Sequence, residues 1–183
     1  MSSVHTTTAI RGRFLDIQNT VAQAREIHDQ VRYVEDGLLI TQNGKISWFG
    51  EWEAGQQHIP ENTQIQHYPE QLIVPGFIDT HIHFPQTEMV GAYGEQLLEW
   101  LNTYTFPTEM QFADKNYADK IAQFFVHELL KNGTTTALVF CTVHPQSVDA
   151  LFEAAEQHQM RLIAGKVMMD RHAPDELTDT AES

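Results

Sequence analysis

Apolar positions divide this sequence into a first third that alternates and a remainder in which apolar runs alternate with helical spacing. In residues 31–49 (VRYVEDGLLITQNGKISWF) two apolar-rich runs flank Asn43-Gly44. Both residues of that pair tolerate the positive φ of a type I′ turn, so a β-hairpin is predicted. Ile46 and Trp48 alternate with polar neighbours, the pattern of a half-buried strand. Residues 8–18 and 63–68 read as further strands, and polar 56–62, with Pro60, reads as a loop. Leu72-Ile73-Val74-Pro75-Gly76-Phe77-Ile78 is nearly continuous in apolar character, which predicts a strand buried on both faces. Beyond it, 97–104 has helical spacing through Leu97, Trp100, Leu101 and Tyr104. A stronger helix covers 114–131, with Asp114 as N-cap, Gly133 past its end, and Tyr117, Ile121, Phe124, Phe125 and Leu129 on one face. Residues 134–141 (TTTALVFC) read as a strand. Residues 147–158 read as a helix with Val148, Leu151, Phe152 and Ala155 inward, and 161–167 as a third apolar strand.

The order is a small β unit, 1–70, followed by a βαβαβ series over 71–183. Strands alternating with helices imply a parallel sheet, as either a doubly wound sheet or a (β/α)8 barrel. The first strand runs into Thr80-His81-Ile82-His83 rather than a Gly-x-Gly-x-x-Gly turn, so a dinucleotide-dependent dehydrogenase is a remote reading.

Composition narrows the class. The 183 residues carry 11 Lys+Arg against 25 Asp+Glu, a formal net charge of −14, which argues against nucleic acid or an anionic membrane as partner. A single Cys excludes a disulfide framework and a multi-Cys zinc knuckle, and fits a reducing compartment. No segment approaches the roughly 18 apolar residues of a spanning helix. The opening MSSVHTTTAIRGRF lacks the apolar stretch of a secretory leader. The expectation is a soluble, cytoplasmic, acidic protein.

The candidate chemistry is His81 and His83. Side chains at i and i+2 of a strand share a face, so both imidazoles can converge on one ion. Imidazole suits Zn2+, with Fe2+ as the alternative, and α/β barrels keep their active sites at the carboxyl ends of their strands. With 10 His in the chain, a His-x-His pair arises by chance about half the time, so the spacing gains weight only from its place at a strand end. The competing reading is two hydrogen-bonded histidines. Elsewhere, His144 before Pro145 reads as structural, His127-Glu128 as a solvated helix face, Cys141 as a small buried hydrophobe and Trp100 as core. The zinc deaminase class with His-x-Glu and Pro-Cys-x-x-Cys is excluded, since that motif pair is absent.

The segment Pro75-Gly76-Phe77-Ile78-Asp79-Thr80-His81-Ile82-His83 resembles the first-strand motif of the amidohydrolase superfamily of metal-dependent hydrolases. Phe84-Pro85-Gln86, the stretch Leu97-Leu98-Glu99-Trp100-Leu101-Asn102-Thr103-Tyr104-Thr105-Phe106-Pro107, and Lys131-Asn132-Gly133-Thr134-Thr135-Thr136 are similar to its guanine deaminase branch. The resemblance implies a small β-sandwich segment followed by the first three βα units of a (β/α)8 barrel. It implies hydrolysis of guanine to xanthine and ammonia at a single metal, usually zinc, and a homodimer for a full-length protein. His81 and His83 map onto the first two metal ligands, His83 also onto a substrate contact, and Gln86 onto the glutamine that reads the purine edge. A carboxamide both donates and accepts, as a lactam face requires. The family's remaining His ligands, its proton-shuttling Glu, its Asp that serves as ligand and base, and its Arg-Phe pair have no counterpart here. At roughly 30 residues per βα unit against about 250 for a whole barrel, the chain is expected to continue past Ser183 and to be inactive alone. The alternatives are an amidohydrolase acting on another heterocycle (a cytosine, triazine or hydantoin type) and a non-catalytic binding or dimerisation fragment.

Overall fold

Asn43 and Gly44 both take positive φ, 51° and 74°, and close the hairpin between β2 (Val31–Gln42) and β3 (Lys45–Glu51). The computed structural model describes residues 6–19, 24–94 and 96–181. Residues 1–5 of the opening stretch and the terminal Glu182 and Ser183 lie outside the described residues. The chain divides into two compact units, Met1–Pro75 and Gly76–Ser183.

In the first unit β1 (Thr7–Ile17) pairs antiparallel with β2 and parallel with β4 (Ile65–Ile73), giving one four-stranded sheet ordered β3-β2-β1-β4. Asp16 and Arg32 are direct cross-strand partners and form an ion pair, and Arg11 pairs with Asp36 between the same strands. These pairs are partly solvated, so each is worth at most about 1 kcal/mol. Ala9, Leu38 and Ile40 are buried beneath Trp48, Trp52 and Ile59. The short helix α1 (Trp52–Gly55) leads into a 3-10 turn, Gln56–His58, which takes the start of the expected loop. The sequence reading asks for a sandwich; the described residues of this unit form a single sheet.

The apolar run 72–78 is not one strand. Leu72 and Ile73 end β4, and β5 (Phe77–His83) begins a second sheet. Pro75 has no N–H to give to a ladder. Gly76 passes so close to a later strand, β6 (Thr134–Phe140), that a Cβ there would stand 2.0 Å from Thr135 Oγ1. The chain therefore changes sheets at this dipeptide.

The second unit holds a parallel sheet ordered β5-β6-β7, with β6 at Thr134–Phe140 and β7 at Arg161–Gly165. Between β5 and β6 the chain runs through α2 (Leu97–Trp100), a π-turn at Leu101–Thr105, α3 (Phe106–Met110) and α4 (Lys115–Lys131). The widened turn precedes Pro107, which cannot donate the bond an α-helical turn needs there. Asp114 caps α4 by accepting from the Asn116 N–H at 2.9 Å. Substituting Asp114→Ala is expected to cost about 1 kcal/mol, read as a lower urea midpoint at unchanged slope.

Ala118, Ile121, Ala122, Phe125 and Val126 of α4 bury against Ala137 and Val139 of β6 and against Ala150, Leu151 and Ala154 of α5 (Pro145–Gln157). Two expected core positions are corrected: Phe124 is 55% exposed and Phe152 is 43% exposed, each sitting one position off the stripe that faces the sheet. β5 is not buried on both faces either, for Phe77 is 60% and Ile78 69% exposed. It is an edge strand, with β6 on one side only. Among the described residues no helix is long and apolar enough to cross a membrane.

Candidate active site

β5 ends by sending alternate residues to opposite faces. Ile82 packs against the helical core, opposite Val139 in register. His81 and His83 take the other face, and their ring centres are 5.3 Å apart. Phe140, the register partner of His83 on β6, lies 4.8 Å from each imidazole and stacks on His83 at an interplanar angle of 15°. The His81 N–H donates to Asp79 Oδ1 at 2.9 Å, which fixes the backbone just before the pair. Burial, and secondarily the neighbouring His81, hold the His83 pKa below its ordinary value. Both effects favour the neutral imidazole, the form that donates a lone pair to a metal.

Two imidazoles sharing a tetrahedral zinc at Zn–N of about 2.0–2.1 Å would have ring centres about 5 Å apart, and the observed spacing matches. The donor set is half a site: among the described residues no three His, Cys, Asp or Glu side chains group as metal ligands.

Gln86 follows in a 3-10 turn, Phe84–Met89, anchored by the buried Phe84 and Pro85. It lines a cleft of about 760 Å³ together with His81, His83, Met89 and Trp100. Trp100 corrects the sequence reading. Its indole donates to the Ala92 carbonyl at 3.2 Å and its ring walls the cleft instead of joining the core.

Glu109 of α3 escapes the sequence reading altogether. Its side chain is buried and hydrogen-bonded to Gln86; burial pushes its pKa up to about 7, against a downward pull from the Gln86 bond. A lone Glu in a short helical segment gives no sequence signal, because its burial depends on a turn far away along the chain.

The remaining candidates stay outside this cluster or stay inert. The His144 N–H donates to Thr142 Oγ1 at 3.1 Å and its carbonyl accepts from Ser147 Oγ at 2.8 Å, at the start of α5. Burial lowers its pKa, and Nε2 has no hydrogen-bond partner among the described residues. His127 is exposed. Cys141 is buried, and its thiol is pushed up to about 12 by that burial, so it is no nucleophile at neutral pH.

Residues 72–183 match the model of the Amidohydrolase family. The chain is 62% identical over 183 residues to a guanine deaminase of Escherichia coli (strain K12), covering all of this chain and 42% of that protein. The solved structure of the E. coli guanine deaminase superposes with a TM-score of 0.91 over 96% of this chain and 41% of that one. A guanine deaminase from C. acetobutylicum with bound guanine in the active site is 29% identical, with a TM-score of 0.77 over 95% of this chain and 39% of that one. The chain thus spans about two fifths of the length of these relatives.

Proposed function

Since the chain belongs to the amidohydrolase family, we propose that it supplies two metal ligands and the substrate-reading amide of a guanine deaminase, which converts guanine and water to xanthine and ammonia. The observation that carries this reading is the pair of imidazoles on one face of β5, ring centres 5.3 Å apart, with Gln86 in the same cleft. The 62% identity to a guanine deaminase and the guanine bound in the C. acetobutylicum neighbour support the substrate.

In this reading His81 and His83 hold zinc, with iron as the alternative. When bound, the metal lowers the pKa of a coordinated water towards 7 and so furnishes the nucleophile without a strong base. The chain's own residues bind and orient. Phe140 keeps both rings from turning away, and the burial of His83 keeps its nitrogen free of a proton. Gln86 offers a donor and an acceptor to the lactam edge of guanine, while Trp100 gives the purine an apolar wall. At the level of architecture, residues 1–70 contribute one sheet to a small β-sandwich and 71–183 the first three βα units of a (β/α)8 barrel. The working enzyme is a cytoplasmic homodimer.

Because the described residues hold two of the ligands a catalytic zinc needs, the 183-residue chain alone is expected to release no ammonia from guanine in the presence of zinc. Measurable turnover by the purified chain contradicts that. In an active polypeptide containing these residues, guanine is expected to be the best substrate of a panel of aminopurines and aminopyrimidines. Gln86→Ala is expected to lower kcat/KM for guanine at least tenfold, since a recognition hydrogen bond is lost from a site built to make it. A pyrimidine preferred over guanine would overturn the assignment.

A further inference from the structure

Glu109 is only 7% exposed, and carboxylates are almost never buried without a partner. Among the described residues that partner is the Gln86 side chain rather than a cation. Glu109 and Gln86 line one small cavity of about 290 Å³, together with His83, Thr105, Cys141 and His172. The elements that carry the pair are fastened to each other. Thr105, buried in the π-turn before α3, donates to Met89 Sδ at 3.6 Å at the end of the Gln86 turn. Such an arrangement holds the carboxyl against the amide.

We propose that Glu109 is a positioning residue that fixes which way the Gln86 carboxamide faces, and thereby sets the preference for a purine bearing a lactam edge. This deepens the guanine deaminase reading and rests on it. An amide can turn over by half a rotation and exchange its donor and acceptor ends at little steric cost. When ionised, the Glu109 carboxylate only accepts, so it takes an N–H from Gln86 and penalises the flipped amide, whose carbonyl would face a negative charge. Gln86 is left with its carbonyl and its second N–H. That pair complements the N–H and C=O of guanine's six-membered ring. It does not complement 2-aminopurine, which has the same ring system without the lactam.

The test uses an active polypeptide containing these residues, with steady-state kinetics on guanine and 2-aminopurine. Glu109→Met removes the acceptor, and Glu109→Gln permits either amide orientation with the shape retained. For Glu109→Met, KM for guanine is expected to rise at least tenfold while kcat changes less than threefold. The ratio of kcat/KM for guanine over 2-aminopurine is expected to fall at least tenfold. Glu109→Gln is expected to move both quantities in the same direction by a smaller factor. A merely structural Glu109 would alter the melting temperature and leave the ratio alone. If both variants keep the guanine KM and the ratio while Gln86→Ala loses them, the positioning role is overturned and the Gln86 assignment stands. If Gln86→Ala also leaves guanine kinetics unchanged, both are overturned.

Discussion

Phe84→Ala is expected to destabilise the second unit by about 3–5 kcal/mol, a large fraction of the roughly 5–15 kcal/mol that holds a domain together. Phe84 is fully buried directly after His83. Its ring meets Phe112 edge-on at 5.0 Å and Phe125 at 5.5 Å. Truncation therefore leaves a cavity where the carboxyl end of β5, the turn before α4 and α4 itself converge, and it also forfeits two aromatic contacts of about 0.5–1.5 kcal/mol each within that total. Phe152→Ala provides the control. That ring is largely outside the core, and its loss is expected to cost under about 1 kcal/mol. Urea denaturation followed by far-UV circular dichroism separates the two. Equal midpoints for the variants would mean that the core does not run through Phe84. Because Phe84 directly follows the second imidazole and lies two positions before Gln86, the same substitution in an active polypeptide containing these residues is also expected to weaken metal and guanine binding at concentrations of urea that leave the parent folded.

Replacing both histidines is expected to have the largest effect on activity. In an active polypeptide containing these residues, His81→Ala with His83→Ala should lower guanine turnover by about a thousandfold or more. Without the metal the nucleophile reverts to ordinary water, whose pKa lies far above 7. Ile82→Val, at the position between them, is the discriminating companion. Its side chain belongs to the opposite face and packs in the core, so it is expected to cost about 0.5–1.5 kcal/mol of stability and to leave metal content unchanged. Metal content by atomic absorption and ammonia release are both read for each variant. A double-alanine variant that retains a full equivalent of zinc would place the site elsewhere. An Ile82→Val variant that loses its zinc would mean that the strand does not alternate as described.

What the sequence discloses about this protein follows the range of each interaction. The Asn43-Gly44 turn, the Asp114 cap and the alternation of His81 with His83 are local. Each depends on residues within a few positions, and each is legible before any tertiary contact is known. The change of sheet at Pro75-Gly76 is not, because a continuous apolar run gives no period by which to tell one strand from two; Thr135, which excludes a Cβ at Gly76, lies far along the chain. Helical periodicity locates α4 and α5 but not the width of their buried stripes, so Phe124 and Phe152 are assigned inward although about half of each side chain is exposed. The site divides in the same way. The imidazole pair follows from strand geometry, and Gln86 is singled out by the family resemblance. Trp100 and Glu109 enter through the π-turn before Pro107 and through contacts with the turn after β5, features that no spacing rule encodes.

The claim on which the rest depends is that His81 and His83 bind one metal ion together. It is tested most directly by titrating zinc into the metal-free form of an active polypeptide containing these residues and following the imidazole nitrogens by long-range 1H–15N NMR, with each resonance assigned from its His→Ala variant. The expected result is that the His81 and His83 signals move together and are complete at one zinc per chain, while exposed His127 stays where it was. Tight binding of one zinc that leaves either of the two rings at its metal-free position would contradict the account.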